Sequence, residues 1–212
     1  MKKITRYLFR FLLFGFILLN ISAAFHAWHF THFSESSGPK TKLDELSFAD
    51  KLSLVFFGLS NPRPENKQLP DGDYEVIRIP SGNYELEAWY ISVDSANGDV
   101  ILFHGYSGEK SSMLERATLI REMGFNTLVV DFHGSGGSSG NTTSIGYEEA
   151  DDVKAAVDYL YEKGVERIQL LGTSMGAAAM LKAASEYEIE VDRMIIECPF
   201  ASMLQTSQNR FE

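Results

Sequence analysis

A strand that runs straight into a helix leaves a chain few ways to fold, and RIQLLGTSMGAAAMLKAASEY, residues 167–187, reads as one. RIQLLG is a short apolar run of strand type, and SMGAAAMLKAASEY is rich in helix formers. The turn between them must be tight, and the residue at its tip, Ser174, must take a strained backbone conformation. Residues two before and two after the tip crowd together, so both must be small. Gly172 and Gly176 meet that requirement, and Ala177 and Ala178 continue it. Such a turn lifts Ser174 Oγ above the carboxyl edge of the sheet and aims the first amides of the helix at the same point. The Met175 amide and the positive helix end would then face a developing oxyanion. Gly-x-Ser-x-Gly alone is a weak signal, equally met by a tight turn with a serine cap; the flanking strand and helix strengthen it.

The same alternation extends upstream. DYEVIRIP and NYELEAWYI alternate apolar and polar residues around a Ser-Gly turn, which predicts an antiparallel hairpin. DVILFHG (99–105) and NTLVVDF (126–132) are nearly continuous apolar runs, as buried parallel strands should be. Helices are expected over about 111–123 and within GYEEADDVKAAVDYLYEKG, where Gly164 is the stop. VDRMIIECP reads as a sixth strand. Strands alternating with helices predict an α/β domain, a mostly parallel sheet with helices on both faces, over residues 71–212.

The N-terminus differs. Lys2, Lys3, Arg6 and Arg10 precede a stretch from Phe11 to Phe30 with no charged residue, about the ~20 residues that a spanning helix needs. Residues 1–30 therefore read as a membrane anchor or signal segment. The preferred reading is an uncleaved single-pass anchor with its basic end in the cytoplasm and the α/β domain on the far side. The alternative is secretion after cleavage near Ser22–Ala24. Residues 31–70 form a linker, polar over 31–41, with an amphipathic helix at 43–60 that is expected to pack on the domain rather than on the membrane.

Charge divides at the same boundary: residues 1–40 carry +4 and the remainder −14. So acidic a domain argues against a nucleic-acid partner. The single Cys198 allows no internal disulfide, and with scattered histidines it gives no zinc-ligand spacing. A dinucleotide Gly-x-Gly-x-x-Gly is broken by Ser139 or Ser107, and no phosphate-binding Gly-Lys-Ser/Thr occurs.

Two further segments join the elbow. FHGYSG (103–108) ends the strand expected beside it, and its loop can offer the Tyr106 amide as a second oxyanion donor. DFHGSGGSSGN (131–141) ends the next strand. In order and spacing these segments resemble the α/β-hydrolase superfamily: HGYSG its oxyanion loop, DFHGSGGSSG its D-x-R-G-x-G-x-S-x-G segment with His133 where arginine is commoner, GTSMG its nucleophile elbow, and ECPF the segment after its sixth strand. With the N-terminal segment, the chain is similar to anchored lysophospholipase-like or serine-aminopeptidase-like hydrolases. The resemblance implies strands one to six of eight in the order 1-2-4-3-5-6, with Ser174 as nucleophile and Met175 and Tyr106 amides as oxyanion donors. It further implies a small-molecule or lipid-like ester or amide substrate, an acyl-enzyme, and no cofactor.

In this superfamily the acid and the histidine follow the nucleophile in the chain. All five histidines here, His26, His29, His32, His104 and His133, precede Ser174. His104 is read as shaping the oxyanion loop. The strand order puts His133 two strand spacings, ~10 Å, from Ser174, beyond hydrogen-bond reach. Glu197 ends the sixth strand, where some members carry the triad acid; a structural role is the preferred reading. The expectation is a C-terminally truncated hydrolase, short by ~60 residues or more, with little or no turnover. The competing expectation is a non-catalytic, membrane-tethered binding module, and the coding sequence past Glu212 separates the two.

Overall fold

The computed structural model describes residues 2–35 and 46–208. The chain divides into two compact units, Met1–Pro62 and Arg63–Glu212.

In the first unit α1 (Lys2–Thr31) is long and apolar enough to cross a membrane, and its Phe, Leu and Ile side chains are exposed along its length. A two-residue parallel bridge joins Phe33–Ser34 to Asn61–Pro62. Between them lies α2 (Phe48–Phe57), shorter than the 43–60 expected; residues 43–45, and 36–41 of the expected linker, lie outside the described residues. Its start is set by a capping box, with Ser47 Oγ accepting from the Asp50 amide and Asp50 Oδ2 accepting from the Ser47 amide. Its end is set by Gly58, whose φ of +81° favours glycine and whose amide donates to Leu54 O at 2.9 Å. The partner of α2 in this unit is α1: the Phe57 ring meets Phe25 edge-on at 5.5 Å.

The second unit is built on a six-stranded sheet: β1 (Glu75–Ser81), β2 (Tyr84–Ile91), β3 (Asp99–Phe103), β4 (Asn126–Val130), β5 (Ile168–Thr173) and β6 (Arg193–Glu197). The strand order is β1-β2-β4-β3-β5-β6, as the resemblance implies. β1 and β2 form the expected antiparallel hairpin, β2 is antiparallel to β4, and the other neighbours are parallel.

Period-two alternation sorts the core. Val100 and Leu102 of β3 point to one face, where they meet Ala117 and Ile120 of α3 (Leu114–Glu122). Ile101 and Phe103 point to the other, beneath α4 (Glu149–Glu162) and α5 (Met175–Glu186). All five β3 residues are buried, which is why the run shows no polar alternation in the sequence. Each large apolar side chain removed from water here contributes about 1.5–3 kcal/mol. At the sheet edge, among the described residues, Ile195 and Ile196 of β6 remain 40% and 36% exposed.

Register places the site. Phe103 lies beside both Val130 and Gly172, and Thr173 beside Glu197. The carboxyl ends of β4, β3, β5 and β6 therefore meet at one edge, and the three glycine-rich segments leave from it together.

Candidate active site

Ser174 sits between β5 and α5 at φ 53° and ψ −108°. A non-glycine residue in this region stores of the order of 1–3 kcal/mol of strain, so its surroundings must hold it. The Ser174 amide donates to Glu197 O at 2.8 Å, and Ser174 O accepts from the Ala178 amide at 3.0 Å. A Cβ on Gly172 would lie 2.4 Å from Met180 Sδ and 2.7 Å from the Gly176 carbonyl carbon. A Cβ on Gly176 would lie 2.6 Å from Phe103 O and 2.8 Å from His104 O. Those are backbone atoms of a central strand and cannot step aside. Gly176→Ala is accordingly expected to cost about 1–3 kcal/mol in urea unfolding. Ser174 itself is only half-buried.

The loop after β3 closes on this serine. A Cβ on Gly105 would lie 3.5 Å from Ser174 Cβ, an ordinary contact distance, so this loop packs directly beside the nucleophile position. His104 is fully buried and uses both ring nitrogens. The Phe132 amide donates to Nε2 at 3.2 Å, which leaves Nδ1 to carry the proton and donate to Gly105 O at 2.8 Å. The Gly108 amide donates to the same Gly105 oxygen at 3.1 Å. In a trans peptide the C=O and the following N–H point in opposite directions. Fixing Gly105 O therefore fixes the direction of the Tyr106 N–H.

The far end of the loop is stapled by Lys110, a lysine with no exposed surface. Its amide donates to Asp131 Oδ1 at 2.6 Å. Its ammonium binds Asp131 Oδ2 and, at 2.7 Å, Glu87 Oε1, and lies 4.3 Å above the Trp89 ring. Asp131 Oδ2 also accepts from the Gly137 amide at 2.8 Å and from Asn66 Nδ2 at 2.9 Å. Burial alone would raise the Asp131 carboxyl, but Lys110 holds it below the ordinary carboxylate value. Arg63 ties down the segment that follows, donating to the carbonyls of Ser135, Gly136, Ser138 and Gly140. Neither Lys110 nor Arg63 carries a local sequence signal for this role. The one legible signal was an aspartate closing the apolar run NTLVV.

Residues 94–211, more than half of the chain, match the family described as serine aminopeptidase, S33. The chain belongs to this α/β-hydrolase family. It is 33% identical over 127 residues to the uncharacterized protein YqkD of Bacillus subtilis, covering 58% of this chain and 42% of that protein. It is 30% identical over 131 residues to human Protein ABHD12B, covering 57% of this chain and 35% of that protein. The esterase Pf2001 of Pyrococcus furiosus superimposes with a TM-score of 0.62 at 27% identity, covering 71% of this chain and 62% of that one. The chain thus spans only about two fifths of YqkD and about a third of ABHD12B.

The other candidate residues of the second unit have other partners. Glu197 Oε2 accepts from Arg116 Nε at 2.9 Å, from an Arg116 terminal nitrogen at 2.8 Å and from Thr173 Oγ1 at 2.8 Å. The Arg116 hydrogen bond holds its carboxyl below the ordinary value. His133 is buried and stacked on Tyr84 at 4.5 Å, with Nδ1 2.6 Å from Asp152 Oδ2. Burial would lower its pKa, but the hydrogen bond and charge of Asp152 carry it upward. Its Nε2 makes no hydrogen bond, so His133 does not contact Ser174 Oγ. Among the described residues no three His, Cys, Asp or Glu side chains are grouped to hold a metal ion.

Proposed function

We propose that this hydrolase cleaves ester or amide bonds of small-molecule or lipid-like acyl substrates through an acyl-enzyme at Ser174, on a domain tethered by α1 to a membrane. The observation that carries the reading is the strained Ser174 backbone, held between Gly172 and Gly176 and faced by Gly105. Ser174 Oγ attacks the acyl carbon and gives its proton to a base. The tetrahedral oxyanion is met by the Tyr106 amide, set by His104, and by the Met175 amide, which opens α5 and so has no intrahelical acceptor. The leaving alcohol or amine takes the proton, and water then hydrolyses the acyl-enzyme. No cofactor enters this scheme. His104 is engaged through both ring nitrogens and His133 is held by Asp152, so neither is assigned as the base, and residues 1–212 by themselves are expected to turn over little. The anchor reading rests on the uncharged run Phe11–Phe30 behind a basic end, which the positive-inside tendency keeps cytoplasmic.

Exogenous imidazole tests the site without altering the chain. General bases contribute about 10²–10⁴-fold, and a base diffusing in beside Ser174 should supply roughly tenfold of that. A fluorophosphonate should modify Ser174 slowly in plain buffer and faster with imidazole, as read by peptide mass spectrometry. Imidazole-independent modification spread evenly over surface serines would sink the proposal. It would favour a second reading, a membrane-tethered binding module of the same fold, which the engagement of His104 and His133 motivates.

His104 is assigned as a positioning residue, and its two bonds can be separated. An asparagine amide reaches the place of Nδ1 and a glutamine amide that of Nε2. His104→Asn should keep the imidazole-assisted rate within about threefold. His104→Gln should lose ~10–100-fold, because the oxyanion donor is no longer aimed. Equal losses in both variants would reduce His104 to a core residue.

A further inference from the structure

We infer that α2 is a second membrane element, a short helix seated in the interfacial layer of the bilayer beside α1. The inference rests on the reading of α1 as a span. It is the alternative to the expectation that this helix packs on the α/β domain.

The first observation is the surface of α2. Phe48, Leu52, Val55 and Phe56 stand at i, i+4, i+7 and i+8 and so share one face. They are 83%, 48%, 64% and 50% exposed, and no residue of the helix is buried. Only Asp50 and Lys51 carry charge. Ten residues are too few for an isolated helix to hold itself in water, and the contacts with α1 leave this stripe exposed.

The second observation is how the backbone of α2 ends. Val55 lies in the last turn, where carbonyls have no intrahelical donor. Val55 O instead faces two side chains of α1, His26 Nε2 at 3.0 Å and Ser22 Oγ at 3.3 Å. The neighbouring Leu54 O is taken by the Gly58 amide. Water would satisfy such carbonyls at no structural cost. In hydrocarbon each unsatisfied group costs several kcal/mol, so side chains must supply the donors.

The third observation is depth. Ser22 and His26 lie eight and four residues before Phe30, about 12 and 6 Å from the end of the uncharged run at 1.5 Å per residue. Trp28, 58% exposed, stands between them and that end, a residue type that collects at the headgroup level. The capped Ser47–Asp50 end supplies the polar groups of α2. A bilayer that takes up α1 would thus cover the stripe of α2 as well.

Nitroxide labels decide the matter. The chain has one cysteine, so Cys198→Ser clears the background. Leu52→Cys and Phe56→Cys probe the stripe, Lys51→Cys the flank, and Leu18→Cys the middle of α1. Each full-length protein is reconstituted into phosphatidylcholine vesicles and exposed to oxygen or to a water-soluble nickel chelate. Labels at 52 and 56 should favour oxygen over nickel several-fold more than the label at 51. Adding Ser22→Ala and His26→Phe should move the label at 56 toward nickel, because the Val55 carbonyl then seeks water. Nickel access at 52 and 56 with oxygen access at 18 would overturn the inference and leave the anchor standing. Shielding of 52 and 56 from both reagents would overturn it in favour of a protein cover. Nickel access at 18 would overturn the anchor reading and the inference together.

Discussion

Ser174→Ala is expected to abolish fluorophosphonate capture at the elbow and to remove the imidazole response entirely. The reason is geometric. The nucleophile position is defined by a backbone at φ 53°, and no other serine of the loops around it replaces an oxygen held there. With a base supplied in cis, loss of the nucleophile of a triad costs about 10⁴-fold or more in turnover. In these 212 residues the comparison is smaller and cleaner. Without imidazole, wild type and Ser174→Ala should hydrolyse an activated ester at similar low rates, since the oxyanion donors act on water in both. With imidazole only the wild type should accelerate. An imidazole response of equal size in Ser174→Ala would place the reactive group elsewhere.

Lys110→Met is expected to cost about 3–5 kcal/mol of stability, the range for breaking a buried ion pair from one side. Methionine keeps a stem against Trp89 but leaves Asp131 buried without its counter-charge. Lys110→Met with Asp131→Leu should recover part of the loss, because removing both charges removes the uncompensated one. Recovery stays partial because the Lys110 and Gly137 amides lose their acceptor. The pH dependence follows from the depressed Asp131 carboxyl. A native pKa below the unfolded value of about 3.9 gives stability that is full above that value and fades as pH falls through the native one. In Lys110→Met the main influence that lowers the carboxyl is gone while its burial remains, so it protonates at higher pH than in the wild type. The stability gap between wild type and variant should thus narrow from pH 7 to pH 4 in urea titrations. A gap that widens toward acid would mean that Lys110 is not what holds Asp131 ionised.

Much of the hydrolase unit was legible because its signals are local. DVILF is apolar throughout since β3 is buried on both faces, and Gly172 and Gly176 mark the elbow because no Cβ fits there. The staple was not legible. Lys110 and Asp131 are 21 residues apart, and each alone reads as a solvated charge. Only the parallel register of β3 and β4 brings their loops together, where a buried charge must find its partner. Arg63 is further still, 72–77 residues, from the carbonyls it binds.

The amphipathic helix shows the same division. Its periodicity was readable, but periodicity reports that one face is apolar and says nothing about what lies against it. The contacts of Val55 O with Ser22 and His26 span 33 and 29 residues, beyond any local pattern. By itself, then, the sequence determined the α/β class, the strand order through family resemblance, the elbow serine and the charge boundary near residue 40. Each of these is set by neighbours within a few residues or by the period of one element. Tertiary structure alone decided the direction of the Tyr106 amide, the partners of His104, His133 and Glu197, and the contact of α2 with α1. These depend on where distant backbone and side-chain polar groups meet, and a buried polar group takes whichever partner the packed chain brings within about 3 Å.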